Sequence, residues 1–483
     1  MQRGYSLLAC IWEHADRHYG KGRRRKHGSM ADMTVAYSPT HGLGEEQSIW
    51  FKLTPLLNQE NPMQVLMALC DKYNGVIPIN LKNHRIVLLA EPAHAQRVLV
   101  DNVDNYTKYF DGLRPIFGKS MITVDGALWQ KIRAPQQPAF HPQMFEDYFP
   151  YLMSAIDSKM ARWAKFAATG ETIEMVEETW TLAAEMVCKA LFDREMPFNP
   201  HFIFKQVKTY TDVMNHKSIR LKSVRGQLEE IGEEDTAKAM EIWGSIPDTV
   251  IGANVLEYRE KTLLKMLDGA EADPNFPEFD RQQVIDEMKQ YLWAGTETTA
   301  LTLAWSLYLL SQHPEALERI RAEARAVCGE RDPVWNEVQQ LSYTRMVIQE
   351  TMRLFPPIWA LIRIAAGEDE IGGHKIKAGD KVVMLAYVMH HSPKYWEEPE
   401  KFDPERFSPE RAKKRVKYSY LPFSAGKRSC IGGALSQIEN TLALVQLLRR
   451  FTPEYAGPVP AKIHATVTLC PKGGLPFRIR ALS

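Results

Sequence analysis

Cys430 stands in the run Phe423-Ser424-Ala425-Gly426-Lys427-Arg428-Ser429-Cys430-Ile431-Gly432-Gly433, a glycine-rich loop that leads into a helix expected over about 433–451. A thiolate is the form of cysteine that binds metals, and loop N–H groups and the positive end of a helix both draw a thiol toward it. Gly426, Gly432 and Gly433 let the backbone fold closely around a flat partner, and Phe423 can cover the sulfur from one side. Arg428 can reach a carboxylate on the same partner. A lone cysteine in such a loop is more often a small buried apolar residue. The combined F-x-x-G-x-R-x-C-x-G pattern is far more restrictive.

Three other groupings carry chemistry. Glu350 and Arg353 are three apart on an expected helix at 337–354 and can pair on one face, just before Pro356-Pro357 stops the helix. Phe402-Asp403-Pro404-Glu405-Arg406-Phe407 supplies a second arginine downstream. Ala294-Gly295-Thr296-Glu297-Thr298-Thr299 lies inside a long helix expected over 281–312. Glycine and hydroxyl residues weaken a helix interior, which predicts a kink there. Trp129 and Arg133 have i, i+4 spacing and share a face.

The elements that must position these residues are mostly helical. Further helices are expected at 314–328 and through much of 145–265, where Pro197, Pro200 and Pro247 punctuate the pattern. Short β segments are expected at 76–81, 85–89, 370–376 and 381–387, with a turn at Pro471-Lys472-Gly473-Gly474. The chain therefore reads as mainly α with small peripheral β-sheets, and residues 46–483 as a single catalytic domain. Residues 1–45, with their basic cluster 23–26, read as a poorly ordered leader, and a start at Met30 would remove most of it.

Bulk properties exclude several classes. The 483 residues carry 60 Lys+Arg against 59 Asp+Glu, so no overall field favours nucleic acid. The cysteines at 10, 70, 188, 328, 430 and 470 have neither finger nor disulfide-scaffold spacing, which fits a reducing, cytoplasmic setting. No run approaches the roughly 20 apolar residues of a membrane span.

The Cys430 segment resembles the haem-binding loop of the cytochrome P450 superfamily, and the order of the other motifs agrees over roughly residues 50–480. The resemblance implies a cytochrome P450 fold and a soluble monooxygenase of bacterial type, with haem b as cofactor and Cys430 as axial ligand of the iron. It further implies that Phe423, Gly432 and Ala294 flank the haem and that Trp129, Arg133, Arg428 and Arg363 hold its propionates. Glu297 and Thr298 become the acid–alcohol pair that supplies protons to bound O2. Glu350, Arg353 and Arg406 become a buried network behind the haem.

By family position, a substrate cavity would be lined by Phe110, Leu113, Ile116, Phe117 and Met121, with Trp293, residues 358–362 and 467–469 opposite. These residues are largely apolar, so the expected substrate is hydrophobic, of terpenoid, steroid or fatty-acyl type. After the cysteine helix only about 30 residues remain, too few for a flavin or iron–sulfur domain. Electrons from NAD(P)H would arrive through a ferredoxin and its reductase, or a flavoprotein. Lys413, Lys414, Arg415, Lys417 and Lys427 could steer such an acidic donor. A monomer is expected. A haem-thiolate isomerase or peroxygenase, and a non-catalytic haem sensor, are the alternatives, and intact Glu297-Thr298 argues against both.

Overall fold

The computed structural model describes residues 62–81, 84–108, 114–196, 199, 201, 203–205, 245 and 260–482. The expected leader and the prolines 197, 200 and 247 lie outside them. The main helices are α1 (Pro62–Lys72), α2 (Gly126–Arg133), α3 (Phe145–Thr169), α4 (Met175–Phe192), α5 (Leu263–Ala272), α6 (Arg281–Gln312), α7 (Pro314–Cys328), α8 (Ser342–Leu354) and α9 (Gly433–Arg450).

Local chemistry sets their ends. The Asp280 carboxylate accepts from the Gln283 N–H at 2.8 Å to start α6. Pro314 at the first position of α7 forces the chain to begin a new helix. Inside α6 the Thr298, Thr302 and Ser306 hydroxyls donate to carbonyls four residues back, at 2.8, 2.9 and 2.8 Å. The helix is continuous from 281 to 312, as expected, with these hydroxyl bonds running back along it.

The core lies where α3, α4, α6, α8 and α9 meet, with Trp163 and Trp305 fully buried. Trp305 stacks on Phe355 with centroids 4.1 Å apart, which ties the middle of α6 to the turn after α8. At the edge lies a five-stranded sheet of order β1-β2-β8-β5-β3, built from Val76–Leu81, His84–Leu89, Lys381–Met384, Leu361–Ala365 and Tyr106–Lys108. Only its β2–β8 pairing is parallel. Smaller sheets join β4 (Thr172–Glu174), β12 (Pro476–Ala481) and β9 (Phe451–Tyr455), and join β10 (Ile463–Ala465) to β11 (Leu469–Pro471).

Three sequence expectations shift. The helix expected at 337–354 begins as a 3₁₀ turn at 335–340 and restarts as α8 after Leu341. The β segment 370–376 is a hairpin of β6 (Asp369–Ile371) and β7 (His374–Ile376), reversed by Gly372 and Gly373 at positive φ. The strand expected over 381–387 ends at Met384, and Ala386–His391 is a short helix whose apolar run is fully buried. Continuous apolar runs do not distinguish a buried strand from a buried helix.

Candidate active site

A cavity of about 450 Å³ opens between α6, the Cys430 loop, α2 and the ends of β5 and β10. Cys430 lies at its floor with its side chain open to the cavity. Its N–H donates to the Phe423 carbonyl at 3.0 Å, which closes the loop into a ring. Burial pushes the thiol up, while the N–H groups of Gly432 and Gly433 and the charges of Lys108 and Arg133 pull it down. The N–H effect expected from the sequence is thus present but outweighed, in the protein alone, by desolvation.

The three loop glycines serve different ends, which corrects the expectation that all of them clear space for a partner. A side chain at Gly426 would fall 2.0 Å from the Leu99 carbonyl oxygen, and one at Gly433 would meet the Phe423 ring at 3.1 Å. Only Gly432 faces open space, with Phe140 the nearest protein atom at 3.9 Å. Similarly, a Cβ at Gly295 would press on Val187 at 3.0 Å, so this glycine serves the packing of α6 on α4.

Four basic side chains line one end of the cavity: Arg133 from α2, Arg363 from β5, Arg428 from the loop, and Lys108 from β3, which the sequence reading missed and which burial, with Arg428 and Arg363 beside it, pushes well below the usual lysine range. Nothing in the short Tyr106–Lys108 strand marked Lys108; it arrives because β3 pairs with β5, opposite Arg363. Trp129 is 7 % exposed and lies under Arg428, 4.3 Å from guanidinium to ring centroid. Arg428 pairs with Asp125 at 2.9 Å and donates to the Val124 carbonyl at 2.7 Å. Burial pulls both Arg363 and Arg428 down to about 10, and their mutual repulsion adds to it for Arg428. Arg428 Nε and Nη1 and Arg363 Nε are buried with no hydrogen-bond partner among the described residues.

Those donors fit a flat partner that carries carboxylates at its edge. Among the described residues no group of three or more His, Cys, Asp or Glu gathers to hold a metal. A metal held at Cys430 would need further ligands from a bound group. A haem with its two propionates meets both requirements.

Across the cavity stand Ala294, Glu297 and Thr298 of α6. Thr298 Oγ1 donates to the Ala294 carbonyl, and Glu297 Oε1 accepts from Thr468 Oγ1 at 3.4 Å. At the next position, Thr299 Oγ1 donates to the carboxyl of Glu439 at 3.3 Å and lies 3.1 Å from Ser436 Oγ. Glu439 was not foreseen. Burial pushes its carboxyl up to about 8, so it holds its proton at neutral pH. Its signal was an acid on the apolar stripe of α9, between Leu435 and Leu442.

The remaining walls are apolar: Val187 and Leu191 from α4, also unforeseen, with Trp293, Ile358, Leu361 and Val467. Met121 lines the cavity as expected, but Phe117 does not: it is 1 % exposed and packs on the Trp293 ring at 5.2 Å. Leu469 is likewise core, its carbonyl accepting from Trp305 Nε1 at 3.2 Å. Phe110, Leu113 and the Ile116 side chain lie outside the described residues.

Behind the floor, Glu350 and Arg353 are fully buried and paired through two bonds of 2.7 and 2.8 Å. Arg406 Nε is 3.3 Å from Glu350 Oε1, so the expected trio is assembled. Of the basic residues proposed to steer a donor, Lys413, Lys414 and Lys417 are exposed, and Lys427 pairs with Asp104. Arg415 is not available. It lies between the rings of Phe407, Trp396 and Tyr420, at 4.2, 5.2 and 5.4 Å.

A helical core with small edge sheets, a single thiol at the cavity floor and a cation-lined rim define a haem-thiolate architecture. The cytochrome P450 family model matches residues 44–475, and the chain belongs to that family. Its activity class is that of a cytochrome P450 monooxygenase, an oxidoreductase whose haem-thiolate iron uses O2. It is 29 % identical to cyclooctatin synthase of Streptomyces melanosporofaciens, over 82 % of this chain and 86 % of that one. It is 28 % identical to cyclooctat-9-en-7-ol 5-monooxygenase of the same organism, over 85 % and 87 %. It is also similar to human cytochrome P450 4X1, 26 % identical over 92 % and 90 %. Among the described residues no helix is long and apolar enough to cross a membrane.

Proposed function

We propose that residues 46–483 form one catalytic domain in which Cys430 would hold a haem iron through its thiolate, with the α6 face at 294–298 lining the same cavity. The observation that carries this reading is the convergence of one cavity-facing thiol and four basic side chains on a cavity whose other face bears Glu297 and Thr298. The bound haem would supply activation of O2, for which it needs electrons and protons delivered in sequence. Trp129, Arg133, Arg363, Arg428 and Lys108 would hold the propionates, the three cavity-facing arginines by charge-assisted hydrogen bonds. Phe423 and Gly432 shape the thiolate side, where the absence of a side chain at 432 leaves the cavity open. Thr298 presents a hydroxyl to the cavity, and Glu297 is the carboxylate that reloads it with a proton through water. Electrons come from NAD(P)H by way of a separate ferredoxin or flavoprotein, with Lys413, Lys414 and Lys417 as the exposed basic residues of the donor face.

The substrate class we infer is hydrophobic, of terpenoid, steroid or fatty-acyl type. The walls formed by Leu191, Trp293, Ile358 and Leu361 offer apolar surface and few hydrogen bonds. The relative named for cyclooctat-9-en-7-ol places a mostly hydrocarbon unsaturated alcohol first in a screen. We assign the working protein as a cytoplasmic monomer.

The deciding experiment compares reduced protein with and without carbon monoxide, beside Cys430→Ser. A strongly red-shifted Soret band that vanishes in the variant is the expected result. A histidine-type carbonyl spectrum, or the same band in Cys430→Ser, removes Cys430 from the iron.

A further inference from the structure

A buried helix face is normally apolar, but the first half of α6 buries a polar one. Gln283, Asp286, Glu287 and Gln290 are at most 5 % exposed. They recur at i, i+3, i+4 and i+7, on one side of the helix. Burying so much polar surface is costly unless each group is bonded. Here the partners are three nearly consecutive backbone N–H groups of the segment 119–122. Lys119 N donates to Asp286 Oδ2 at 2.9 Å, Met121 N to Glu287 Oε1 at 2.7 Å, and Ile122 N to Gln290 Oε1 at 2.6 Å. Gln283 and Gln290 in turn donate to the two Glu287 oxygens at 2.7 and 2.9 Å. At Gly118 the backbone comes so close that a Cβ would lie 1.8 Å from Asp286 Oδ2.

The clasped segment carries Met121 and Ile122, which both line the cavity. Glu287 itself does not line it. Apolar packing would let this wall slide by fractions of an ångström, whereas short directional bonds to α6 fix it. The same helix carries the Ala294–Thr298 face one to two turns on. We propose that Glu287, acting with Gln290, is a positioning residue for substrate specificity. It sets the distance between the Met121–Ile122 wall and the Ala294–Thr298 face, and so the girth of ligand the cavity accepts. The ligand part of this inference rests on the cytochrome P450 reading of the cavity.

The donor–acceptor pattern supplies its own rescue. Burial pushes the Glu287 carboxyl up to about 8, so the comparison is made above that pH, where the carboxylate is ionised: there Glu287→Gln places an amide N–H₂ against the N–H₂ of Gln290, and one bond in the chain Met121–287–290–Ile122 must break. Adding Gln290→Glu restores complementarity: residue 287 then donates to residue 290, and both backbone N–H groups keep an acceptor. The full haem-loaded chain is followed in two ways. Hydrogen exchange is measured at 118–124, and dissociation constants for slender and wide apolar ligands are read from the spin-state shift. Glu287→Gln should speed exchange at Met121 and Ile122 by about tenfold. It should also shrink the preference between slender and wide ligands several-fold. The double variant should return exchange to wild type, the readout that the new carboxyl at cavity-lining position 290 does not touch, and Gly118→Ala, which drives a Cβ into Asp286, should move both readouts as Glu287→Gln does. Unchanged exchange in the single variant, faster exchange with an unchanged ligand ranking, or no rescue in the double variant each overturns the proposal. A wild-type chain that takes up no haem sinks the reading of the cavity and the specificity role with it. Exchange alone would still decide whether Glu287 holds the loop.

Discussion

Arg353 and Arg428 are both drawn out of water, yet their surroundings differ in kind. Every nitrogen of Arg353 is bonded within the protein. Two bonds go to Glu350, and others go to the carbonyls of His390, Pro399 and Lys401. Arg428 has Asp125 and one carbonyl, both at Nη2, and keeps two buried nitrogens without a partner. The first is an arginine satisfied entirely within the protein, the arrangement that makes a buried charge tolerable, although its neighbour Arg406 keeps Nε without a hydrogen bond, 3.3 Å from Glu350. The second is complementary to something anionic that is not protein. Burial of charge is common to both, so burial alone does not identify a binding site; the bookkeeping of donors and acceptors does.

The comparison breaks most severely at Glu350. Glu350→Ala leaves Arg353 and Arg406 facing each other without an acid, at a cost of about 3–5 kcal/mol, and should lower the urea midpoint of the haem-free chain or abolish soluble expression. A haem-free unfolding curve like that of wild type would show that the trio is dispensable. The opposite behaviour is expected at the rim. Replacing Arg363 or Arg428 by Leu should weaken haem binding by roughly 10- to 100-fold, since each removes charge-assisted hydrogen bonds. The haem-free chain should lose little stability at Arg363, where a poorly satisfied buried cation goes with the substitution, and more at Arg428, which also gives up Asp125 and the Trp129 face. Haem titration and unfolding run side by side separate these effects; destabilised apoprotein with normal haem affinity would reverse the assignment.

Glu439 sharpens the contrast through pH. Its folded value, about 8, lies above the ordinary 4.5, so the folded chain keeps a proton that the unfolded chain releases. The stability it confers is complete below about 4.5 and is lost as pH rises toward 8, by at most about 1.4 kcal/mol per pH unit. Glu439→Gln should flatten that part of the pH–stability profile, and an unchanged slope would mean the carboxyl is ionised in the fold. The smallest effects belong to the basic stretch. Arg415→Ala should cost about 1–2 kcal/mol by emptying its aromatic cage. Lys413→Ala and Lys414→Ala should change stability by less than about 0.5 kcal/mol and slow only the salt-dependent association with an acidic electron donor.

The sequence reading was strongest where one face or one spacing decides the outcome. The limits of α6 and α7 followed from periodicity and from Pro314, and the Glu350–Arg353 pair followed from helical spacing. It was weakest where partners come from far away along the chain. Lys108 reaches the rim only through the β3–β5 pairing, more than two hundred residues apart. Phe117 was placed on the cavity wall, but an aromatic side chain is equally at home beside Trp293 in the core. Arg415 resembled the lysines around it until the fold brought Trp396, Phe407 and Tyr420 from three separate segments around it. The glycines taught the same lesson: identical residues at 426, 432 and 433 answer to a carbonyl, to a cavity and to a ring.

Gly426 also bears on any attempt to evolve this enzyme. Its φ of +69° and the Leu99 carbonyl 2.0 Å from its missing Cβ leave room for no side chain, whatever the selection applied. A randomised library across the cysteine loop would waste nearly all its members on this position. Gly432 differs: a side chain there would meet no protein atom closer than 3.9 Å, and would instead take up room on the thiolate side of the cavity.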